Sequence, residues 1–246
     1  MYDDELVPGI VFYILLALAA ALYSAVGQGG GSGYLAVMAY FGIAPEQMKP
    51  AALTLNVVVT TVVVYQTLRA GTLQWSLLWP FLATSVPAAF IGGTIQLQHV
   101  WYQIIVGLSL IVAGVRLLWG PTQRNAQPPP VAGALLTGAV FGIVSGLTGV
   151  GGGLFLSPFL IYMGWCTMQQ NIALSAAFIW FNSSAALAGL FFVAQPWPPG
   201  LPLMVVAVLA GTLAARLVTA RYQSTSGLQR VLGVVLIIAA FKFLLV

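Results

Sequence analysis

The chain is short of charge. Of its 246 residues, 5% are Asp, Glu, Lys or Arg and 60% are hydrophobic. A soluble domain carries about 25% charged residues, so this composition cannot cover a surface that faces water. The single cysteine, Cys166, excludes an internal disulfide, and the single histidine, His99, argues against a protein metal site. Carboxylates are as scarce: Asp3, Asp4 and Glu5 stand at the start, and Glu46 is the one other acid. No His/Asp/Glu constellation falls at membrane depth, which speaks against an enzyme, and no cofactor is expected. The acidic start lacks the basic first region of a secretory signal, so no cleavable signal is expected. A scattered net charge of +4 does not suggest nucleic acid. Period-two alternation is also missing, which turns the reading from a barrel to helices.

What the chain has is long apolar runs, and its mean hydropathy is +1.00. They cover roughly 8–26, 32–44, 50–68, 75–96, 100–119, 131–149, 152–164, 170–194, 201–220 and 228–246. Most approach the roughly 20 residues that cross a hydrocarbon core; 32–44 and 152–164 are too short for an ordinary upright span. The expected fold is therefore an all-α integral membrane protein of about eight to ten membrane helices, two of them short. The polar, proline-rich stretch 121–130 reads as a linker between a first repeat, 1–120, and a second, 131–246, within one membrane domain.

Both short segments follow glycines. Gly27-Gln28-Gly29-Gly30-Gly31-Ser32-Gly33 stands in the first half and Gly149-Val150-Gly151-Gly152-Gly153 in the second, 122 residues later. Tyr40/Tyr162 and Gly42/Gly164 keep that offset, and Ala52-Leu53-Thr54 matches Ala173-Leu174-Ser175 with one residue lost. Irregular backbone survives at membrane depth only where it is buried in protein or lines a cavity. Paired breaks in corresponding places point to a transporter's binding site where two halves meet. As one straight helix, 8–44 would be ~55 Å long, against a core of ~30 Å. If the glycines instead turn the chain back, the second half enters inverted. One face then collects Arg69, Arg116, Arg124, Arg216, Arg221 and Arg230, and the other Lys49, Lys242 and all four acids. The positive-inside rule favours that lopsided arrangement over an even split, placing both termini outside and the arginine face in the cytoplasm.

These residues resemble the TauE/SafE family of sulfite and organosulfonate exporters, also called the toluene-sulfonate uptake permease family. The likeness covers nearly the whole chain. It is carried by Gly27–Gly31, Gly149–Gly153, Met48-Lys49-Pro50-Ala51-Ala52-Leu53-Thr54-Leu55-Asn56, Arg69-Ala70-Gly71-Thr72-Leu73-Gln74-Trp75 and Ser157-Pro158. The resemblance implies an inner-membrane permease for small sulfur-containing anions, without fixing which anion or direction. The halves have diverged: Ala36 stands where the second half has Pro158, and Gln195–Gly200 replaces the Arg69 connection.

The expected substrate site is built from Gln28, Gly29, Gly30, Gly31, Ser32, Thr54, Asn56, Gly151, Gly152, Gly153 and Ser175. Successive backbone N–H groups at a helix start, with the positive end of its dipole, make an anion seat. The competing reading of the glycines is close helix packing. Hydroxyl and amide groups can replace part of an oxyanion's hydration without a fixed charge. For Thr54, Asn56, Thr60, Thr61, Ser175, Asn182, Ser183 and Ser184, the alternative is interhelical bonding or back-bonding to their own helix. Lys49 and Arg69 are possible anion attractors, or a snorkelling interface lysine and a topology anchor. Glu46 and His99 are expected in loops, so neither is placed as a membrane relay. The tryptophans read mostly as interface anchors near segment ends, and Cys166 as inert packing. The partners expected are a small anion and the lipid bilayer.

Overall fold

The computed structural model describes residues 9–25, 28–119, 127–193 and 195–219, with 234, 237, 240 and 241 beyond them. Asp3, Asp4, Glu5, Gly27, Arg124, Arg221, Arg230, Lys242, most of the linker and nearly all of 228–246 lie outside the described residues, as do the side chains of His99, Arg116, Trp119 and Arg216. Among the described residues all regular structure is helical. In chain order the helices are α1 Ile10–Ala25, α2 Gly31–Tyr40, α3 Pro45–Arg69, α4 Trp75–Thr94, α5 His99–Trp119, α6 Val131–Thr148, α7 Gly153–Met163, α8 Met168–Leu190 and α9 Leu201–Thr219. Four of these, α3, α4, α6 and α8, are long and apolar enough to cross a membrane.

Local chemistry sets the boundaries. The N-cap of α2 is Gly30 at φ 91° and that of α7 is Gly152 at φ 74°, left-handed backbone that a β-carbon disfavours. α3 opens with Pro45 in its first turn, where the missing N–H costs nothing, beside Glu46, which complements the helix dipole. Thr167 and Gln170 form a capping box that starts α8. α2 stops at Tyr40, short of residue 44, because Gly42 at φ 72° turns the chain and Ile43 N–H closes back on the Met38 carbonyl at 3.0 Å.

The two short helices are the second arms of hairpins. At the open end of α1–α2, the rings of Phe12 and Phe41 are 5.2 Å apart; at the tip, the Tyr23 and Ser32 hydroxyls are 2.6 Å apart. In α6–α7 a β-carbon on Gly133 would stand 3.0 Å from the Trp165 ring, while near the tip one on Gly152 would stand 3.1 Å from Ser145 Cβ. At 10 and 11 residues, α2 and α7 rise about 15 Å, half a hydrocarbon core.

α3 and α8 cross between the hairpins in opposite directions. Trp180 Nε1 donates to Thr61 Oγ1 at 2.9 Å near their middles. Beyond the end of α3, Gln170 at the start of α8 donates to Gln74 at 2.9 Å. Each hairpin's first arm packs on a helix of the other half, α1 on α9 and α6 on α4. Small residues permit that approach: a β-carbon on Gly142 would stand 2.6 Å from Ser85 Cα.

Candidate functional site

The two glycine tips touch. A β-carbon added to Gly31 would stand 2.5 Å from the Val150 carbonyl oxygen and 2.6 Å from Asn56 Nδ2. One on Gly151 would stand 2.8 Å from the same Nδ2, and one on Gly29 would stand 2.9 Å from Asn56 Oδ1. The Asn56 amide therefore lies between the first and second breaks, and Ile179 of α8 closes the far side against Gly29, Gly151 and Gly153. Gly29, Gly30, Gly31 and Ser32 are buried, as are Gly151, Gly152 and Gly153. Neither helix start has a side-chain cap, and the first N–H groups of a helix lack partners within it, although Gly153 N–H donates to the Gly151 carbonyl at 2.9 Å. Two positive helix ends converge on one buried amide.

Asn56 is fully buried in the middle of α3 and donates from Nδ2 to the Gly149 carbonyl oxygen at 3.2 Å. That bond fixes the amide's orientation, since rotating it would set Oδ1 against another oxygen. Oδ1 is left buried without a hydrogen-bond partner. Gln28 Oε1, in the first break, and Ser183 Oγ, 3.2 Å from a β-carbon position on Gly151, are also buried and unpartnered. An unmet buried acceptor costs about 1–3 kcal/mol, so a cluster of them asks for an explanation.

The other expected residues are placed differently. Thr54 donates to the Pro50 carbonyl at 2.8 Å, Thr60 to Asn56 O at 2.6 Å and Thr61 to Val57 O at 2.7 Å, each back along α3. Asn182 likewise donates to the Phe178 carbonyl at 2.8 Å. Ser32 is engaged with Tyr23. Ser175 donates to Asn171 Oδ1 at 3.3 Å, and Asn171 to Ser157 Oγ at 2.7 Å, a buried polar chain running away from the tips. Ile179 and Tyr34, whose phenol abuts Gly30, belong to the tip and have no mark in the sequence as site residues. Trp180 stands mid-helix, bonded to Thr61, and is no end anchor.

Lys49 does not stand free at a mouth. It is 3% exposed, and its ammonium donates to the carbonyls of Gly92, Gly93 and Ile95 at 3.0, 3.1 and 3.0 Å, capping the end of α4. Its backbone packs on Gly149, with a β-carbon position there 3.2 Å from Lys49 O. It also lines a cavity of about 300 Å³ together with Glu46, Gln96, Gln98, Tyr102 and Gln195. Glu46, expected in a loop, is exposed in the first turn of α3, and His99 is the first residue of α5. Tyr102 donates to Thr148 O at 3.0 Å, so the cavity floor adjoins the second glycine break. Arg69 is exposed at the opposite end of α3, its guanidinium 4.8 Å from the Tyr65 ring centre. Cys166 is buried between α7 and α8, and burial pushes its thiol up to about 12.

Comparison with known proteins identifies the family. The family described as "Sulfite exporter TauE/SafE" matches residues 12–243. A Sinorhizobium fredii protein described as "Probable membrane transporter protein y4hK" is 37% identical over 248 residues, covering 98% of this chain and 99% of that protein. No solved structure matches.

Proposed function

The chain belongs to the sulfite exporter TauE/SafE family, a membrane transporter family, and we propose that it is a secondary permease moving a small sulfur-containing anion across the bacterial inner membrane. Sulfite, thiosulfate and organosulfonates are the candidate substrates. The binding site is the contact between the two glycine tips, and the observation that carries this reading is Asn56, buried between them with Oδ1 unpartnered. In the described conformation the tips leave no room for a β-carbon, still less for an oxyanion. Binding therefore requires them to part, and closing them on the other side of the ligand is alternating access.

The two halves, 1–120 and 131–246 about the linker, are inverted repeats in this proposal. The support is geometric: two glycine-tipped hairpins, antiparallel central helices α3 and α8, and first arms that exchange partners between halves. With both termini outside, Arg69, Arg116, Arg124, Arg216, Arg221 and Arg230 face the cytoplasm. The cavity at Lys49 then opens outside, one layer above Gly149. A carrier or facilitator for another small anion is the alternative.

The test is thermal stabilisation of the purified protein by sulfite, thiosulfate, sulfate, a small sulfonate and chloride, with Gly30→Leu and Asn56→Leu alongside. A ligand bound by the folded state alone raises its stability by mass action. The proposal expects a shift for a sulfur anion that both variants lose; a shift only for a sulfur-free anion would move the assignment to the alternative.

A further inference from the structure

Resting on that site, we infer that the permease binds its oxyanion as the proton-bearing monoanion, so that the substrate itself carries the proton; of the candidate substrates this singles out sulfite, since thiosulfate and organosulfonates carry no such hydrogen near neutrality. A seat made only of helix N-termini offers hydrogens and would take a bare dianion. This one also offers oxygen. Asn56 Oδ1 is held toward Gly29 and Gly31 because Nδ2 is committed to the Gly149 carbonyl, and it has no donor. Gln28, the residue before Gly29, likewise carries a buried Oε1 without a donor. A ligand that satisfies both kinds of group presents lone pairs to the glycine N–H groups and one hydrogen to the amide oxygen. A fully deprotonated oxyanion would set its oxygen against Oδ1 and leave a buried acceptor unmet, and sites built for a donor reject analogues that lack it.

Among the protein's own groups the hydroxyls of Tyr34 and Ser183 are unpartnered at the tips, but neither donates to Oδ1, which stays unmet. Helices α1, α2, α3, α6, α7 and α8 pack about the tips, and the one described carboxylate among them is Glu46, ten residues along α3 from Asn56. Tyr34 reaches Gly30, Tyr23 reaches Ser32, and the Lys49 ammonium points away to the end of α4. Arg69 lies at the far end of α3.

Sulfite loses its last proton near neutrality, which makes the test direct. Its affinity for the full-length protein in detergent is measured calorimetrically across pH 5.5 to 8.5, with sulfate and methanesulfonate as competitors. The inference expects a constant Kd at the acid end and a weakening of about tenfold per pH unit above the ligand's own ionisation, as for one linked proton. Sulfate, a dianion throughout, does not compete, and neither does methanesulfonate, a monoanion without a hydrogen to donate. Tighter sulfite binding at higher pH, or competition by either control at concentrations like sulfite's own Kd, overturns the inference and leaves the sulfur-anion reading standing. No sulfite binding at any pH, with binding of another anion, removes the sulfite assignment and the inference with it.

Discussion

Asn56 donates to the carbonyl of Gly149, a residue 93 positions away in the other half of the chain. One side chain on α3 thereby holds the second glycine break against the first. The bond ties Asn56 to the second break and leaves Oδ1 toward the first, so it contributes to the closed contact and to the orientation of the amide alike. Replacing Asn56 by Leu removes a modest hydrogen bond, about 1 kcal/mol, and also removes the unmet Oδ1. We therefore expect Asn56→Leu to change thermal stability little and to lower sulfur-anion transport in proteoliposomes at least about tenfold, ~1.4 kcal/mol. A variant that transports normally would take Asn56 out of the site.

Gly31 is the most confined of the tip glycines toward the other half, its β-carbon position 2.5 Å from a backbone oxygen of Val150. Backbone cannot swing aside as a side chain can. Gly31→Ala is expected to push the tips apart, costing about 1–3 kcal/mol of stability as an overpacked core does, and to impair transport. Gly9→Ala, where nothing lies within 4 Å, should leave both measurements unchanged. Equal behaviour of the two variants would mean that the tips yield freely.

Much of the helical layout is legible in the sequence, because the lengths of the apolar runs and the glycines that interrupt them are local signals. The nine described helices follow the apolar runs, and the two short ones fall after the glycines, as the lengths require. Asn56 carried a weaker signal: a polar residue at membrane depth reads equally as ligand or as helix glue, and only the fold shows that its neighbours Thr54, Thr60 and Thr61 bond back along α3. The contact of Ile179 with three tip glycines is tertiary and leaves no trace in spacing. Lys49 was misleading for a physical reason. A lysine beside a span normally snorkels, whereas this one is captured by carbonyls at the end of α4 that its own sequence neighbourhood does not contain.

That capture predicts a structural cost for Lys49→Met. Three carbonyls at the end of α4 would lose a charged donor, and a hydrogen bond to a charged group contributes about 1.5–3 kcal/mol net. Because the adjoining cavity admits water, the expected net loss is about 2–4 kcal/mol, read from unfolding in denaturant. Unchanged stability would mean that the ammonium does not cap α4 and is available to anions instead.

Inversion of the halves is tested most directly at Tyr40 and Tyr162. They keep the 122-residue offset, close the ends of α2 and α7, and are 64% and 60% exposed. In an inverted repeat the two hairpins enter from opposite faces, so Tyr40→Cys should react with a membrane-impermeant maleimide from outside and Tyr162→Cys from the cytoplasm. The native Cys166 is buried with its thiol pushed up to about 12, so it holds little thiolate at neutral pH and should label slowly; Cys166→Ser removes that background. Opposite-sided labelling fits one hairpin from each face, with the glycine tips meeting between. Labelling of both cysteines from one face would instead make the halves parallel. The contact of the tips would then have to be reached by hairpins entering together, and the proposed alternation of access about a pseudo-twofold axis would be lost.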